Sequence, residues 1–563
     1  MKYELINSNT KADNIVSLVF ENRNISESKI FDYIHCDKDF RTNPFDYVNM
    51  DRGIELVKKH IDNNSNILIL VDTDCDGYMS ASIVYKTLKE LNKDLNISFL
   101  TNKDKKHGLN EKVIPSIIES NANLLIIPDA GSNDIEEIRF IQSNNIDVLV
   151  IDHHEACYQE DLIIINNQYN DINKDLSGGA MALKFSEALI GEKSEKYTDL
   201  AAVSIISDNM AMNNLENRYY VHKGLNNINN DFLRRAIKEY ENAKITDISF
   251  GISPIVNSII RVGNKEDKEI LIKAVTELEG SVELPTRKNG KTMANYDYID
   301  AAIKISKWRR AEQKVLVNEA TEKVEVEHEN PINIVMLDEE FNSNLTGYFA
   351  NVVSSKNLKP TLVMKFDEES NSYKGSARSG KVNGFKDLLV NSELFASCEG
   401  HQGAFGVDIT KENLHKFKEV MKTMKLPTET IYKVDNIYDC DDLKREDIEA
   451  IHALENIWGK NMDKPLFAVK LKDTALSLIG ANGNTLKMTK NGKSYIKFNC
   501  SEEEIRNISN IRGLVDIDVV GTLEINKYGN YITPQINIVD FEIKNKEISY
   551  NLFDDEDDFE YLF

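Results

Sequence analysis

Short aliphatic runs alternate with longer amphipathic stretches over the first 225 residues of the chain. The runs are ILILV (67–71), ISFL (97–100), NLLIIP (123–128), DVLVI (147–151) and LIIIN (162–166). Runs of this length, bounded by polar residues and separated by helical stretches, are typical of strands buried on both faces of a parallel sheet. The pattern therefore predicts an α/β unit, and in such sheets ligands bind beyond the carboxyl ends of the strands.

The pattern changes after residue 225. Residues 226 to about 328 are mostly helical in pattern and end in a long charged stretch, 298–330. This stretch predicts a connecting helix of ~30 residues, or about 45 Å at 1.5 Å per residue. A second α+β unit begins near residue 332 and contains the glycine-rich segment CEGHQGAFG (398–406). After about residue 465, short strands and turn residues predict a small β-barrel of the OB type.

Composition and charge narrow the class of protein. The chain has 563 residues, of which 41% are hydrophobic and 28% charged, so it can form several folded domains. A net charge of −24 means that an anionic substrate must meet a locally positive surface. The chain shows no signal peptide and no apolar run near the ~20 residues that cross a bilayer. We therefore expect a cytoplasmic protein without a membrane segment, in the host cytoplasm if a phage encodes it.

Acidic and histidine residues follow four apolar segments of the α/β unit. The four motifs are DTDCDG (72–77), PDAG (128–131), IDHHE (151–155) and ISDNM (206–210). Each motif alone is typical of a solvated turn, but their joint occurrence predicts one metal site. Carboxylates with one imidazole suit Mn²⁺ or Mg²⁺ better than Zn²⁺. Two ions about 4 Å apart, bridged by a carboxylate, would activate water for attack on phosphorus.

These motifs, in this order and spacing, resemble those of the DHH phosphoesterases. The segments SGGAMALKF (177–185), NRYYVHKGL (217–225) and PIVNSIIRVGN (254–264) are similar to segments of the RecJ single-strand-specific exonucleases. GSARS (375–379) and EGHQGAFG (399–406) resemble the companion DHHA1 domain, and residues 515–543 resemble the RecJ OB domain. The resemblance implies two-metal hydrolysis of single-stranded DNA from the 5′ end, releasing mononucleotides, in recombination, repair or replication.

The predicted fold class is α/β, with a parallel-sheet DHH domain joined by a long helical connector to an α+β DHHA1 domain and then to an OB-like β-barrel. The predicted segments are an N-terminal extension (1–45), a DHH catalytic domain (46–225), a helical connector (226–328), a DHHA1 domain (329–428), an OB-like nucleic-acid-binding domain (429–545) and an acidic tail (546–563).

The resemblance also implies a role for each residue of the four motifs. The implied catalytic residues are Asp74, Asp76, Asp129, His153, His154 and Asp208. Asp129 would bridge two ions, sharing one with Asp74. It would share the other with Asp76, His153 and Asp208. His154 would face the scissile phosphate.

Two further aspartates are expected to orient ligands without binding an ion. Asp72, the first residue of the first motif, would orient or polarise the neighbouring ligands, and Asp152 would hold an imidazole. Substrate contacts are expected from Arg261, Arg378, His401, Gly400, Lys103 and Lys105. The arginines and the histidine would neutralise phosphates across a cleft, and the glycine would let the backbone approach a phosphate. Each alone is equally compatible with a surface arginine or a buried, hydrogen-bonded histidine.

The chain departs from the family pattern at three positions. Leu70 stands where RecJ-like chains usually have a histidine two residues before the first aspartate, so one metal position is expected to bind more weakly. Asn102 takes the place of an arginine, which leaves the lysines of 103–106 to recognise a 5′ phosphate. Glu399 replaces the first glycine of the usual G-G-H and adds negative charge near the substrate.

Two C-terminal features have two interpretations each. A group of lysines and aromatics predicts either a basic face for single strands or a solvated barrel surface. Its members are Lys487, Lys490, Lys493, Tyr495, Lys497 and Phe498. The acidic run DDEDDFE (554–560) is either a solubilising tail or a segment that recruits a single-strand-binding, replication or recombination protein.

Two other functions compete with the exonuclease. The first is a DHH phosphodiesterase that acts on cyclic dinucleotides or short RNA, which the predicted OB barrel disfavours. The second is a replication scaffold with a weakened site. The retained acidic residues argue against a scaffold, whereas Leu70 favours it.

Overall fold

A computed structural model of the chain describes most of its residues. It covers residues 1–8, 12–102, 107–323, 330–357, 359–368, 370–380, 382, 384–424, 426, 431–528 and 531–544, and for residues 357, 401 and 528 it covers the backbone alone. The chain divides into two units. One consists of Cys36–Thr428 with Gly459–Asn461, and the other of Met1–His35, Glu429–Trp458 and Met462–Phe563.

Besides four short 3-10 helices, the first 226 residues contain six strands and nine α-helices within the described ranges. They are β1 (Lys2–Leu5), α1 (Ile15–Glu21), α2 (Glu27–His35), α3 (Met50–Asp62), β2 (Ile67–Val71), α4 (Cys75–Leu91), β3 (Ile97–Thr101), α5 (Ile114–Glu119), β4 (Leu124–Pro128), α6 (Ile135–Ser143), β5 (Asp147–Asp152), β6 (Ile164–Asn166), α7 (Gly178–Ile190), α8 (Thr198–Ser207) and α9 (Leu215–Asn226).

A five-stranded sheet in the order β3-β2-β4-β5-β6 forms the centre of this region. All four strand pairs are parallel, which confirms the predicted α/β fold. Leu68 and Leu125 pack on one face with Ile117 of α5 and Ile138 of α6. Helices α4 and α7 pack on the other face. Because β2, β4 and β5 are neighbours and parallel, the three motifs that follow them meet at one edge of the sheet.

A helical region follows the sheet. Its elements are α10 (Asp231–Ala236), α11 (Ile245–Asp247), α12 (Ser253–Val262), α13 (Lys265–Val275), β7 (Ser281–Pro285), β8 (Met293–Asp297) and α14 (Tyr298–Glu322). The predicted connecting helix is therefore α14, which has 25 residues and ends at Glu322.

One helical stretch of the described chain, Ile245–Val262, is long and apolar enough to cross a membrane by length and composition. The sequence predicted no such stretch. However, 44% of it is buried inside the protein, and Ile252, Val256 and Ile259 are fully covered. It therefore packs as a core helix of its unit.

The next region is an α+β body. Its elements are β9 (Asn333–Leu337), α15 (Thr346–Asn357), β10 (Thr361–Asp367), β11 (Ser372–Arg378), α16 (Phe385–Asn391), β12 (Ser397–His401), β13 (Ala404–Thr410) and α17 (Lys411–Thr423). The strands form a sheet in the order β12-β13-β11-β10-β9, with only β9 and β10 parallel. Phe385, Phe405 and Phe417 lie in its core.

The second unit is mostly β. Its further elements are β14 (Ile431–Val434), β15 (Asn436–Asp439), α18 (Arg445–His452), β16 (Phe467–Thr474), β17 (Ser477–Ile479), β18 (Thr485–Lys490), β19 (Lys493–Lys497), α19 (Glu502–Ser509), β20 (Val515–Tyr528) and β21 (Tyr531–Ile543). Seven strands form one sheet in the order β15-β16-β20-β21-β19-β18-β17. The start of the chain belongs to this unit, because β1 pairs with β14 and Arg23 forms an ion pair with Asp435.

Candidate metal centre and phosphate cavity

Three carboxylates surround the imidazole of His153. Its Nε2 atom lies 3.2 Å from Oδ1 of Asp129, 3.8 Å from Oδ2 of Asp208 and 3.9 Å from Oδ2 of Asp76. Asp208 follows the last residue of α8 and keeps 35% of its side-chain surface exposed, whereas the other three side chains are buried. The structure thus brings together the four residues that the sequence assigned to one ion.

Four donors hold the carboxylate of Asp76. Oδ2 accepts the N–H of Gly178 at 2.9 Å and Oδ1 accepts the N–H of Gly179 at 2.8 Å, from the first two residues of α7. The hydroxyl groups of Ser80 and Ser204 also donate to Oδ1. A helix N-terminus presents unpaired N–H groups and partial positive charge, so it is a favourable place for a carboxylate group.

These donors were not predicted from the sequence. Ser204 could have been found, because it lies four residues before Asp208 and therefore on the same face of α8. Gly178 belongs to the segment SGGAMALKF, which resembles the RecJ exonucleases, but the resemblance alone implies no contact between this glycine and a metal ligand.

Asp129 has a backbone conformation that residues with a side chain rarely adopt. Its φ is +68°, and its N–H donates to the carbonyl of Ile151 at 2.8 Å. Its buried Oδ1 accepts no hydrogen bond from the described residues. Burial raises the pKa of this carboxyl well above its usual range, and the charges of Asp76 and Asp74 raise it further. Backbone strain and an unsatisfied buried oxygen are both typical of functional sites.

Asp152 orients the side chain of His154. Its Oδ1 accepts the Nδ1–H of His154 at 2.8 Å and the main-chain N–H of His153 at 2.7 Å, and Oδ2 accepts the N–H of Ser132 at 3.1 Å. Although burial alone would raise the pKa of Asp152, the hydrogen bond from His154 holds it below its usual value. The same bond raises the pKa of His154 to about 9. Asp152 therefore contacts the imidazole of His154 and favours its protonated form.

A second group of possible ligands lies beside the first. Asp74 is the N-cap residue of α4, where its Oδ1 accepts the N–H of Gly77 at 2.9 Å. Asp72 is buried, and its Oδ2 lies 2.5 Å from Nδ1 of His107. One ligand atom from each of Asp72, Asp74 and His107 lies within 4.8 Å of the others. His107, which lies between β3 and α5, was not predicted from the sequence.

The donor set fits divalent ions. Burial, together with the charges of Asp76 and Asp74, raises the pKa of Asp208 to about 8. A cation would relieve this crowding of buried carboxylates and would satisfy the unpaired Oδ1 of Asp129. Carboxylate oxygens with imidazole nitrogen suit Mn²⁺ and Mg²⁺. The residues present therefore fit the two ions that the sequence predicts.

Arg261 and Arg378 line one cavity of about 510 Å³. Burial lowers the pKa of Arg378, and the neighbouring charge of Arg261 lowers it further. Burial also lowers the pKa of Arg261, against the opposing charge of Asp74. Within the described chain, neither guanidinium forms an ion pair with a carboxylate. The two guanidinium groups are half-buried, and Arg261 is close enough to the possible metal ligand Asp74 to feel its charge. Such groups are suited to bind an anionic group such as a phosphate.

The glycine-rich segment is a β-hairpin, not an open loop. Gly400 pairs with Phe405 across β12 and β13, and its φ is +119°. A Cβ atom there would lie 3.1 Å from the main chain of Phe405, so the close strand approach explains the glycine. Glu399 and Phe405 line the arginine cavity, whereas Gly400 is not among the lining residues. The side chain of His401 and the residues Lys103 and Lys105 lie outside what the structure describes.

The lysines of the β-rich unit do not form one exposed basic face. The amino group of Lys493 is buried and donates to the carbonyl of Leu443, and that of Lys497 donates to the carbonyl of Val539. Tyr495 is also fully buried. Neither interpretation holds for Lys493, Tyr495 and Lys497, because these alternate residues lie on the buried side of β19. The acidic tail lies outside the described residues.

Two family models match the chain. The "DHH family, N-terminal domain" matches residues 66–205, and the "RecJ OB domain" matches residues 434–540. The first covers the three motifs that follow strands and ends just before ISDNM (206–210), and the second covers most of the β-rich unit. Both matches confirm the predicted domain types.

Curated relatives and a solved structure extend the match. An SPbeta prophage protein of Bacillus subtilis (strain 168), YorK, provisionally named a single-strand DNA-specific exonuclease, is 30% identical over 586 residues, covering 98% of this chain and 100% of that protein. The single-stranded-DNA-specific exonuclease RecJ of the same strain is 26% identical, covering 93% of this chain and 66% of that protein.

The crystal structure of RecJ in complex with Mn²⁺ from Thermus thermophilus has the same fold, with a TM-score of 0.68 at 16% identity. The superposition covers 95% of this chain and 76% of that one. The match to YorK runs over the whole of that relative at 30% identity, and it agrees with both family models. This chain therefore belongs to the RecJ branch of the DHH family.

Proposed function

We propose that this protein is a divalent-metal-dependent exonuclease that hydrolyses single-stranded DNA from the 5′ end and releases mononucleotides, in DNA recombination, repair or replication. The observation that carries the proposal is the meeting of three carboxylates around Nε2 of His153, at 3.2 Å, 3.8 Å and 3.9 Å. The names of the relatives and the match to the RecJ OB domain support single-stranded DNA as the substrate. The 5′ polarity rests on the resemblance of the motifs.

The chain's residues divide into ion ligands and groups that position them. One ion would be held by Asp76, Asp129, His153 and Asp208, and the other by Asp74 and Asp129. When bound, the two ions would activate water as the nucleophile and offset the charge on the phosphate. Gly178 and Ser204 donate hydrogen bonds to the carboxylate of Asp76 and fix it in place. This rigidity favours reaction, because the ligands do not have to reorganise when the substrate arrives.

Two positively charged groups would act on the substrate directly. His154, protonated and oriented by Asp152, would donate a hydrogen bond to an oxygen of the scissile phosphate. Arg261 and Arg378 would bind a phosphate in their shared cavity and so hold the strand in register with the metal centre. A lysine within 103–106 remains the proposed contact for a 5′ phosphate.

We also propose that the protein works in the cytoplasm and that its acidic tail recruits a single-strand-binding, replication or recombination protein. The nuclease names of the relatives support the first statement, and the charge of the DDEDDFE run (554–560) supports the second. Deletion of 551–563 should lower affinity for such a partner in a pull-down assay. Unchanged binding would leave the tail with a solubilising role.

Labelled substrates test the activity and its polarity together. The protein with Mn²⁺ should degrade single-stranded DNA in preference to duplex DNA, short RNA or a cyclic dinucleotide. A 5′ label should appear first as a mononucleotide, whereas a 3′ label should remain on shortening strands. Preferential cleavage of the cyclic dinucleotide would reject the exonuclease proposal in favour of the phosphodiesterase.

The matched variants are Asp129→Asn and Asp147→Asn. Asp147 is the first residue of β5, at the opposite end of the strand from the proposed metal ligands. Its side chain forms a surface ion pair with Lys59. We expect Asp129→Asn to abolish cleavage and Asp147→Asn to retain it. If the wild-type protein cleaves nothing with Mn²⁺ or Mg²⁺, the proposal that it is an enzyme is wrong.

A further inference from the structure

The loop after β3 brings a histidine to two aspartates of the first motif. Nδ1 of His107 lies 2.5 Å from Oδ2 of Asp72, and one ligand atom each of His107, Asp72 and Asp74 lies within 4.8 Å of the others. Asp72 is 2% exposed, whereas the side chain of His107 is 48% exposed. The histidine is therefore anchored at one end by a buried carboxylate and reaches the solvent-accessible side of the site.

Hydrogen bonds fix the position of the two residues that follow His107. The N–H of Gly108 donates to Oδ1 of Asp72 at 3.0 Å, and the N–H of Leu109 donates to Oδ2 of Asp134 at 2.7 Å. The amide of Asn102 donates to the carbonyl of Gly108 at 3.1 Å. Asn102, which takes the place of an arginine expected from the resemblance, is buried and thus helps to hold this loop. These three hydrogen bonds, made by the residues next to His107, hold its imidazole in position.

No imidazole can come from β2 on this side of the site. Leu70 is 1% exposed and packs in the hydrophobic core with Leu109 and Leu125. A histidine there would lose a well-packed apolar contact. By contrast, His107 comes from a surface loop, where a polar side chain has no burial cost.

We propose that His107 is a metal ligand and completes the ion position at Asp74, with Asp72 orienting its ring. With Nδ1 directed at Oδ2 of Asp72, the ring is oriented so that Nε2 is the nitrogen left to bind an ion. A carboxylate behind an imidazole is the usual arrangement for a histidine that binds a metal. The inference rests on the proposed function, because it assigns a ligand to the second ion of that site.

Equilibrium Mn²⁺ binding tests the inference without a substrate. Free Mn²⁺ is measured by electron paramagnetic resonance during a titration of the full-length protein. We expect two binding events for the wild type and a loss of about 10-fold to 100-fold in the affinity of one of them in His107→Ala. The other affinity should stay unchanged in His107→Ala and should be lost in His153→Ala.

Glutamine separates ligation from loop support. The amide of His107→Gln can still donate to Asp72 but offers no imidazole nitrogen. It should therefore bind Mn²⁺ as weakly as His107→Ala, whereas restored affinity would overturn the inference. The inference is also wrong if His107→Ala keeps every Mn²⁺ affinity within about 3-fold of wild type. His415→Ala, an exposed histidine on α17, is the matched control.

The two proposals can fail separately. If the protein degrades single-stranded DNA and His107→Ala binds both ions normally, the inference is wrong and the proposed function stands. If no substrate is cleaved but His107→Ala and His107→Gln both lose one ion, the ligand assignment stands and the proposed substrate is wrong.

Discussion

The main chain of Gly178 lies against the carboxylate of Asp129. A Cβ atom at position 178 would lie 2.1 Å from Oδ1 and 2.6 Å from Cβ of Asp129. The clash involves the root of the side chain as well as its flexible end, so rotation of the carboxylate alone would not relieve it. Gly178 also donates its N–H to Asp76. This glycine therefore allows α7 to approach two of the proposed ligands at once.

We expect Gly178→Ala to cost about 10²-fold in cleavage rate, because displacing a ligand by about 1 Å has an effect of this size. Steady-state assays on single-stranded DNA and Mn²⁺ titration measure the change. Gly251→Ala is the matched control, because a Cβ atom there would meet nothing within 4 Å. If the two variants cleave and bind Mn²⁺ equally well, the close approach of α7 has no functional importance.

The positions of the strand-end ligands could be predicted from the sequence because they follow from strand order alone. Parallel strands that are neighbours place their carboxyl ends together, so Asp129 and His153 had to meet. Contacts between distant segments could not be predicted in this way. Asp76 and Ser204 are 128 residues apart, and their hydrogen bond depends on how α8 packs on α4.

The other unpredicted features depend on pairing register and loop conformation. Glycines such as Gly400 suggest a flexible loop until the pairing of β12 with β13 is known. Lys493 is expected at the surface until its side of β19 is known. His107 is a loop residue, and its contact with Asp72 depends on main-chain hydrogen bonds that no local pattern reveals.

Removing a metal-site charge should stabilise the metal-free protein. Burial and the charges of Asp76 and Asp74 raise the pKa of Asp208 to about 8, above the ~3.9 of an unfolded aspartate. At pH values between these two pKa values, the folded state binds a proton on Asp208 more tightly than the unfolded state does. The contribution of Asp208 to the free energy of unfolding therefore falls as pH rises, and it is lowest above about pH 8. In EDTA at pH 8.5, Asp208→Asn should therefore have a higher melting temperature than the wild type. The difference between the two melting temperatures should shrink toward pH 5.

Mn²⁺ should reverse this order by raising the melting temperature of the wild type more than that of Asp208→Asn. Asp161→Asn, an exposed aspartate paired with Arg139, should follow the wild type under all of these conditions. A melting temperature of Asp208→Asn below wild type at pH 8.5 in EDTA would contradict the prediction.

The arginine cavity should act on substrate affinity and not on metal binding. We expect Arg378→Gln to weaken binding of single-stranded DNA by about 10-fold and to lower the slope of log Kd against log salt by about 0.7, the value for one lost phosphate contact. Fluorescence anisotropy over a salt series measures both quantities. Mn²⁺ affinity should stay at the wild-type value.

Lys374→Gln is the control on the same strand, β11, where Lys374 is paired with Asp367 on the surface. Its salt slope should match that of the wild type. A wild-type slope for Arg378→Gln as well would mean that the cavity does not contact a phosphate of the bound strand.

The role of His154 should appear in the rate of cleavage and in its pH profile. The ring is 52% exposed, so His154→Ala should fold normally and bind Mn²⁺ normally. Loss of a hydrogen-bond donor to the reacting phosphate should lower kcat by about 10²-fold to 10³-fold.

The hydrogen bond to Asp152 raises the pKa of His154 to about 9. The wild-type cleavage rate should therefore fall above pH 9 as the imidazolium loses its proton, and His154→Ala should lack this fall. His415→Ala should keep the wild-type profile, whereas a His154→Ala profile that still falls above pH 9 would assign that titration to a different group.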